Sequence, residues 1–535
     1  MSYLPVIAVT AGLGLLLVII NHMRTRNSKP FPPGPPGIPI LGNLLQIPTK
    51  KSCVEFQKWS REYGDSSDGL IGLHLGPWSK TIILNKDRQV RDLLESRGTV
   101  YAGRGPVAVM DSMRSWKPSG VPFVGNFAFS QYDDELKRAR KASLEYMLRS
   151  GQVEKLLPIQ DAESTQLVWE LLNLEDEGAA APGSYSLSFY RMFGAVVLAA
   201  VYGIRGKDSA PESPLGMFAS LAEEFIPLLA LTSAPPLDIF PFIAYLPDIV
   251  NPWRGWVEKG KKFTLKWHHF WTEFHRLGLE TAGRKTSREG DGMLKRLDGK
   301  GFSESEILTF GSTMMNGGAD TTAVTCLSMI TAFVKYRGLQ DQARAEVDGV
   351  FGEGTMPSVE RLSELRFLKA CFYEAIRWRP LTPLMTRKVR ADHIYDGYFI
   401  PKNTTVLYNI WAMSHDSDVF ERPEDFVPAR YMPQVRGAAD VQPLPVYGFG
   451  QGLRNCPGQK MAEYSIILVM AKILWSFEIT APDGEIDTSV ETGYDDAFLM
   501  TPHPTKLRFR LRSKARGEVL QVEWKKANEW LSRFE

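Results

Sequence analysis

Hydrophobic residues recur with helical spacing over much of the chain, from about residue 130 to about residue 380. Apolar positions three or four residues apart form one face of an amphipathic helix. Four shorter apolar runs are typical of strands, at Ile71–His74, Thr81–Leu84, Thr404–Tyr408 and Lys506–Leu511. The pattern predicts a mainly α protein with a smaller β part (α+β), with no internal domain boundary between residues 44 and 512.

The N-terminus is apolar and uncharged. Residues 1–21 contain no Asp, Glu, Lys or Arg, and Leu4–Ile20 is a 17-residue apolar run. Such a run is at the short end of what spans a bilayer. Basic residues follow the run at Arg24 and Arg26, whereas a cleavable signal peptide carries them before it. We therefore expect residues 1–29 to form a retained single-pass membrane helix with its basic flank, the rest of the chain being cytosolic. A cleaved signal and a buried helix are the alternatives.

A proline-rich segment follows the apolar run. It begins Pro30-Phe31-Pro32-Pro33-Gly34-Pro35-Pro36-Gly37 and extends to about residue 43. Proline fixes φ and lacks an N–H donor, which excludes a helix or a central strand. Its place between an anchor and a core predicts a stiff hinge, with a simple spacer as the alternative. At the other end, residues 513–535 form a tail whose alternating charges, with Trp524 and Trp530, predict a short amphipathic helix.

The composition of the chain argues against several classes of protein. With 535 residues, 44% hydrophobic and 23% charged, the chain can bury a sizeable core, which excludes wholesale disorder. Lys and Arg total 63 against 61 Asp and Glu, a net charge of +2, so no nucleic-acid partner is expected. The four cysteines include no C-x-x-C pair, which argues against a disulfide framework or a zinc module.

The segment Phe449–Gly458, with the sequence FGQGLRNCPG, concentrates the candidate chemistry. Its glycines let the backbone approach a flat partner and expose N–H groups towards a sulfur. Gln459–Trp475 is compatible with a helix, and a thiolate at a helix start is favoured by the dipole. Cys456 therefore has the features of a thiolate ligand to haem iron. A buried cysteine in a tight turn is the alternative.

This segment matches the F-x-x-G-x-R-x-C-x-G signature of the cytochrome P-450 haem-thiolate monooxygenases at Phe449, Gly452, Arg454, Cys456 and Gly458. The chain resembles that superfamily over about residues 30–512, which implies a cytochrome P-450-like haem domain over residues 44–512. Its anchor and hinge resemble those of the microsomal branch. Asn409–Asp416 is similar to fungal members that oxidise secondary metabolites, such as the O-methylsterigmatocystin oxidoreductase-like enzymes. The resemblance implies that Cys456 is the axial ligand of a haem b iron, with Phe449, Gly450, Arg454 and Gly458 beside the cofactor.

A second family motif, E-x-x-R, occurs at Glu374 and Arg377. The two residues share one helix face, and the helix must end near Trp378 because Pro380 follows. Taken alone, such a pair is usually a surface salt bridge. The resemblance implies that it is buried and locked to Arg430, and that this network orients the loop carrying Cys456.

A third motif is Gly317-Gly318-Ala319-Asp320-Thr321. It lies in a helical stretch that Ser303 and Glu306 begin as a capping box and that Gly338 is predicted to end, a helix of roughly 50 Å. Two adjacent glycines destabilise a helix interior, so something must compensate: close helix packing, or close approach of a ligand with a local break in the hydrogen-bond ladder. Asp320 and Thr321 favour the ligand. The family's A-G-x-[DE]-T motif implies that these two residues deliver protons during oxygen activation, with Gly317 replacing the usual Ala.

Haem propionates require cations. The resemblance implies that Arg454, Arg387 and Arg140 supply them, with a solvated helix residue as the alternative for Arg140. The family usually shows W-x-x-x-R before the last of these, and this chain has Leu136 in the Trp position. The resemblance therefore implies that one propionate hydrogen bond is missing.

The implied reaction inserts one oxygen atom of O2 into an apolar small molecule, by hydroxylation or a related oxidation. The implied context is fungal secondary metabolism or xenobiotic oxidation. Electrons are expected from NADPH through a separate flavoprotein reductase, with cytochrome b5 as a further donor, since no flavin- or NADPH-binding region is recognisable. The expected location is the endoplasmic reticulum membrane, with the catalytic domain facing the cytosol.

The largely apolar stretch Phe225–Leu246 is expected to roof the active site. Further substrate contacts are expected within residues 104–127, Thr313–Thr321, Thr382–Met385 and around Phe498–Leu499. Two other functions stay open: a reductase-independent haem-thiolate isomerase or dehydratase, and a non-catalytic haem-binding protein. Neither needs the Asp320–Thr321 pair.

Overall fold

The computed structural model describes residues 29–534, apart from residues 77–78, 106–109, 111–112, 114–115, 118, 148–153, 177–181, 230–253, 285–291, 298, 438–442 and 483. The apolar run Leu4–Ile20, and with it the predicted anchor, lies outside the described residues. Residues 230–246 of the predicted roof, Phe225–Leu246, also lie outside the described residues.

Helices make up most of the described chain. In order they are α1 (Ser52–Tyr63), α2 (Asp87–Val90), α3 (Gly98–Tyr101), α4 (Asp134–Met147), α5 (Leu157–Asp176), α6 (Ser184–Tyr202), α7 (Pro214–Leu228), α8 (Arg254–Arg284), α9 (Met293–Leu297), α10 (Glu304–Gly318), α11 (Asp320–Lys335), α12 (Arg337–Phe351), α13 (Arg366–Trp378), α14 (Ile410–Ser414), α15 (Met432–Val435), α16 (Gln459–Ser476) and α17 (Lys514–Leu531).

The β part is small, as predicted. Its strands are β1 (Ile71–Leu75), β2 (Ser79–Leu84), β3 (Leu384–Lys388), β4 (His393–Tyr395), β5 (Tyr398–Ile400), β6 (Thr405–Asn409), β7 (Phe477–Thr480) and β8 (Arg508–Leu511). One sheet has the order β1-β2-β6-β3, in which β2 and β6 are parallel and the other pairs antiparallel. The other two sheets are the antiparallel pairs β4–β5 and β7–β8. All four predicted strands overlap observed ones.

The main hydrophobic core lies among the long helices, and α6 contributes 14 buried residues to the interior. In the described part of the chain, α6 is the one helix long and apolar enough to cross a bilayer. However, 72% of its most apolar window is buried inside the molecule, as expected for a core helix. This finding concerns α6 alone and does not bear on the N-terminal run.

The helical stretch predicted from Ser303 to about Gly338 is present with a local break after its two glycines, as expected, but its predicted end at Gly338 is wrong. The capping box is present, because the Ser303 hydroxyl accepts from the Glu306 N–H and the Glu306 carboxylate accepts from the Ser303 N–H. The expected break lies at Ala319, whose ψ is −69°, so α10 and α11 are separate helices. The second helix ends at Lys335, and Gly338 lies inside α12. Added side-chain atoms at Gly338 would meet open space, so this glycine neither packs closely nor ends a helix.

The two ends of the described chain are attached to the globular body. In the proline-rich segment, the Pro33 carbonyl accepts from the Gly72 N–H at 2.7 Å and the Pro30 carbonyl accepts from the Phe399 N–H at 2.9 Å. The predicted tail helix is present as α17 and packs along α5, where Trp524 stacks on Trp169 with ring centroids 4.5 Å apart.

Candidate active site

The loop before α16 presents Cys456 to an internal cavity. The backbone N–H of Cys456 donates to the Phe449 carbonyl at 2.7 Å, and this hydrogen bond closes the loop. Gly452 has φ +62°, and a Cβ there would lie 1.9 Å from the Leu94 carbonyl oxygen, so only glycine fits. This is the physical reason for one glycine of the sequence motif.

The Cys456 thiol is half-buried, whereas the other three cysteines are buried. Burial raises the pKa of Cys456, and the backbone N–H groups of Gly458 and Gln459 and the Arg140 charge lower it. The two N–H groups lie at the start of α16, where the sequence motif predicts backbone donors to a sulfur. They would stabilise a sulfur held as a thiolate by a metal ion.

The cavity beside Cys456 has a volume of about 360 Å³. Helices α4, α6, α7, α10, α11, α13 and α16 contribute to its wall, together with the cysteine loop, β3 and the segment around Phe498. Phe449 also lines it, with its ring centroid 6.2 Å from that of Phe372. The arrangement places Cys456 in the wall of a cavity that many parts of the chain surround.

Two predicted propionate ligands, Arg140 and Arg454, line this cavity together with Arg104. The third, Arg387, is not a lining residue, but its charge acts on all three guanidinium groups. Arg387 and Arg454 are buried, Arg140 is half-buried, and the unpredicted Arg104 is 6% exposed. Arg104 Nε donates to the Ala128 carbonyl at 2.7 Å. Arg454 Nε donates to the Ala102 carbonyl at 2.9 Å. Among the described residues, no carboxylate forms an ion pair with any of the four guanidinium groups.

The pKa values of two of these arginines show that burial and mutual repulsion disfavour their charged forms. Burial and the charges of Arg387 and Arg140 lower the pKa of Arg454 to about 9. Burial and the other three guanidinium groups lower the pKa of Arg104 well below its usual range. Four converging cations without carboxylates form a site for an anionic group. A haem, with two propionates and an iron that takes a thiolate, fits this combination of donors.

Arg140 also contacts the cysteine loop. Its Nη2 donates to the Asn455 carbonyl at 2.8 Å and to Asn455 Oδ1 at 3.1 Å. Leu136, in the position where a tryptophan was expected, is buried against the cavity. Leucine has no hydrogen-bond donor there, and Arg104 supplies donors from another segment.

Asp320 and Thr321 lie on the cavity wall at the break between α10 and α11. The Thr321 hydroxyl donates to the Gly317 carbonyl at 2.6 Å, where the helix ladder is interrupted. Burial raises the pKa of the Asp320 carboxyl to about 7. A cavity wall with a carboxyl poised near neutrality and an adjacent hydroxyl can hold and transfer a proton.

The two adjacent glycines have different packing. A Cβ at Gly318 would lie 2.7 Å from Cγ2 of Val197 in α6, whereas a Cβ at Gly317 would meet open space at the cavity. Both explanations offered by the sequence therefore apply, one to each residue. Gly318 permits helix packing and Gly317 leaves room for a ligand.

Glu374, Arg377 and Arg430 form a network of ion pairs that is largely buried. Arg377 Nη2 and Glu374 Oε1 are 2.8 Å apart, and Arg430 Nε is 3.2 Å from the same oxygen. Arg377 also donates to the carbonyls of Ser414, Pro423 and Asp425. The network joins α13 to the segment preceding the cysteine loop.

Comparison with known proteins agrees with this geometry. The family model for Cytochrome P450 matches residues 32–509. Cytochrome P450 monooxygenase yanC of Aspergillus niger is 29% identical over 98% of both chains. Cytochrome P450 monooxygenase macC of Penicillium terrestre is 30% identical over 97% of both chains.

The fold is also shared with a solved structure. A zebrafish cytochrome P450, determined with abiraterone, superposes with a TM-score of 0.66 at 22% identity, covering 86% of this chain and all of its own. The family match, the full-length relatives and the shared fold agree. The chain belongs to the cytochrome P450 family, monooxygenases that use haem iron, O2 and electrons from a redox partner to oxidise small molecules.

Proposed function

We propose that this protein is a membrane-anchored monooxygenase that hydroxylates an apolar small molecule in fungal secondary metabolism. The fungal relatives support the pathway class, and the aromatic cavity wall supports an apolar substrate. The observation that carries the proposal is the position of Cys456, facing a cavity where buried arginines lack carboxylate partners among the described residues.

The contacts of the side chains support the following roles. Cys456 ligates the iron of haem b, and Arg104, Arg140, Arg387 and Arg454 hold its propionates. Haem, when bound, supplies the activation of O2. Asp320 and Thr321 hold and pass protons at the interrupted helix. Phe449, Gly450 and Gly458 shape the thiolate side of the cofactor, and the Glu374–Arg377–Arg430 network holds their loop in place.

The electron donor we propose is an NADPH-dependent flavoprotein reductase on the same membrane, with cytochrome b5 as a second donor. Leu4–Ile20 would anchor the chain in the endoplasmic reticulum, with the catalytic domain in the cytosol. The hydrogen bonds of the proline-rich segment to the body support a hinge of fixed direction. Extraction of membranes with alkaline carbonate should leave the full chain in the pellet. The same extraction should release a truncated variant that begins at residue 30.

The alternative of a reductase-independent isomerase or dehydratase is less well supported. Both members of the acid–alcohol pair, Asp320 and Thr321, face the cavity. An enzyme that consumed no protons from solvent would not need a carboxyl with a pKa of about 7 at this place.

The test of the proposal is the absorption spectrum of the reduced protein with carbon monoxide. Thiolate ligation moves the Soret band far to the red of that of a histidine-ligated haem. We expect this band in the wild type and in Cys53→Ala, whose thiol is buried away from the cavity. Cys456→Ala should lose it. A wild type that binds haem without the red shift, or a Cys456→Ala protein that retains it, would contradict the proposal.

A further inference from the structure

The cavity has an aromatic wall built from three separate segments. Phe129 lies between Phe225 of α7 and Phe498, with ring-centroid distances of 6.4 Å and 6.2 Å. All three side chains line the cavity. Rings at these distances offer apolar surface to a flat molecule but no strong hydrogen bond. Any polar selection must therefore come from another part of the wall.

Most hydroxyl groups on the α10–α11 side of the cavity already have partners. The Thr313 hydroxyl donates to the Thr309 carbonyl at 2.6 Å and accepts from the Phe127 N–H at 2.8 Å. The hydroxyls of Thr321 and Thr322 donate their protons to backbone carbonyls of the preceding turn. The hydroxyl protons of all three threonines are therefore already engaged in hydrogen bonds.

Asn316 differs from these threonines. It lines the cavity, is half-buried, and lies one helical turn before Asp320. Its Nδ2 donates to the Ser312 carbonyl at 2.7 Å. Because a carbonyl oxygen can only accept, this bond fixes the orientation of the amide. Oδ1 and the second N–H of the amide keep their hydrogen-bonding capacity.

We propose that Asn316 selects substrates by hydrogen-bonding a hydroxyl group carried on a flat, apolar ring system. The inference rests on the proposed function, since it assigns the substrate of the same cavity. A hydroxyl is the complementary group because it can donate to Oδ1 and accept from the amide N–H. The aromatic wall receives the ring while Asn316 fixes its polar end, which sets the carbon presented for oxidation.

The test compares two ligands that differ in one proton donor, 2-naphthol and 2-methoxynaphthalene. Their affinities for the purified ferric holoprotein are measured by equilibrium dialysis and by the change in haem absorption. We expect the wild type to bind 2-naphthol about 10- to 100-fold more tightly, the range expected for one hydrogen bond in a partly closed site. Asn316→Leu, of similar size, should reduce the preference to about twofold.

Thr325→Val is the matched control, because Thr325 of α11 also lines the cavity but its hydroxyl already donates to the Thr321 carbonyl at 2.9 Å. It should keep the preference. Asn316→Ser is the second variant if Asn316→Leu does not take up haem, and it should weaken the preference in the same direction. Failure of 2-naphthol to bind, equal binding of both ligands, a preference that survives in the Asn316 variants, or its loss in Thr325→Val would overturn the inference. The carbon monoxide spectrum of each protein separates this failure from loss of thiolate ligation.

Discussion

At the scale of single residues, Asp320 has the most informative protonation equilibrium. Burial raises the pKa of its carboxyl to about 7, and no cation of the described chain forms an ion pair with it. Both protonation states are therefore populated at neutral pH. This balance suits a group that gives up a proton and regains it in each turnover.

The pH dependence of coupling tests this role. The protonated form of Asp320 decreases as pH rises through about 7. Product formed per NADPH should therefore fall, and hydrogen peroxide release should rise, over that range. Asp320→Asn should remove the pH-dependent step and lower turnover by about 100-fold. Thr322→Val, which loses a hydroxyl bonded to the Gly318 carbonyl, should keep the step. The same step in Asp320→Asn would show that another group titrates.

The Glu374–Arg377–Arg430 network makes a prediction about stability. Glu374 and Arg377 are buried, so removing one charge strands the other in the interior. Glu374→Gln should lower the free energy of unfolding by about 3–5 kcal/mol in urea titrations and weaken haem retention.

The nearby Arg422–Asp425 pair is the control for this experiment. Its atoms are 3.4 Å apart and its side chains are 65% and 49% exposed. Arg422→Ala should cost less than about 1 kcal/mol. Equal losses in the two variants would show that burial does not determine the strength of the network.

At the scale of elements, the break between α10 and α11 depends on two glycines with different surroundings. Gly318 lies against the stiff, branched side chain of Val197, and Gly317 faces the cavity. The break places the Thr321 hydroxyl against the Gly317 carbonyl. The same two residues thus allow close packing on one side and a polar wall on the other.

Substituting alanine at each glycine should separate these two effects. Gly318→Ala should destabilise the protein by about 1–3 kcal/mol, because Val197 cannot move aside easily. Gly317→Ala should be neutral or stabilising by up to about 1 kcal/mol, from the gain in helix propensity. The Gly317 variant should instead bind bulky ligands less tightly. Urea unfolding and ligand titration measure the two outcomes, and a large stability loss in Gly317→Ala would contradict this assignment.

At the scale of the whole molecule, α17 is part of the core although it follows residue 509, where the family match ends. Leu520 and Leu531 are buried, and Arg516 pairs with Asp348 of α12 at 3.0 Å. Arg205, before α7, donates to Asn528 Oδ1 at 2.6 Å. The C-terminal helix therefore joins parts of the chain that are far apart in sequence.

Two substitutions in α17 test its contribution to stability. Leu520 is fully buried, whereas Val522 is 51% exposed. Leu520→Ala should lower the free energy of unfolding by about 2–5 kcal/mol, through lost burial and a residual cavity. Val522→Ala should change it by less than about 0.5 kcal/mol. A similar, small loss in both variants would show that α17 adds little to the stability of the body.

Several features could be predicted from the sequence because each depends on residues within a few turns of one another. Pro380 ends α13 at Trp378, and the Ser303–Glu306 box begins α10. The E-x-x-R spacing places both charges on one helix face, and the glycines around Cys456 shape its loop. These local rules also predicted the mainly helical fold and the overlap with β1, β2, β6 and β8.

Other features depend on residues that meet only in the folded chain. The short strands β3, β4, β5 and β7 were missed because their pairing partners, rather than their own apolar pattern, define them. Arg104 was missed as a cavity cation because nothing in its neighbourhood distinguishes it from a surface arginine. Its role arises only when β3 and α4 bring other guanidinium groups beside it.

The interrupted helix shows the same division within one motif. The sequence determined that two glycines, a carboxyl and a hydroxyl would follow one another in a helix. Only the tertiary structure decided that Gly318 packs on Val197 and that Gly317 faces the cavity. It also decided that Asp320 is buried enough for its pKa to approach 7. Helix propensity acts over a few residues, whereas packing and burial depend on what the rest of the chain places around them.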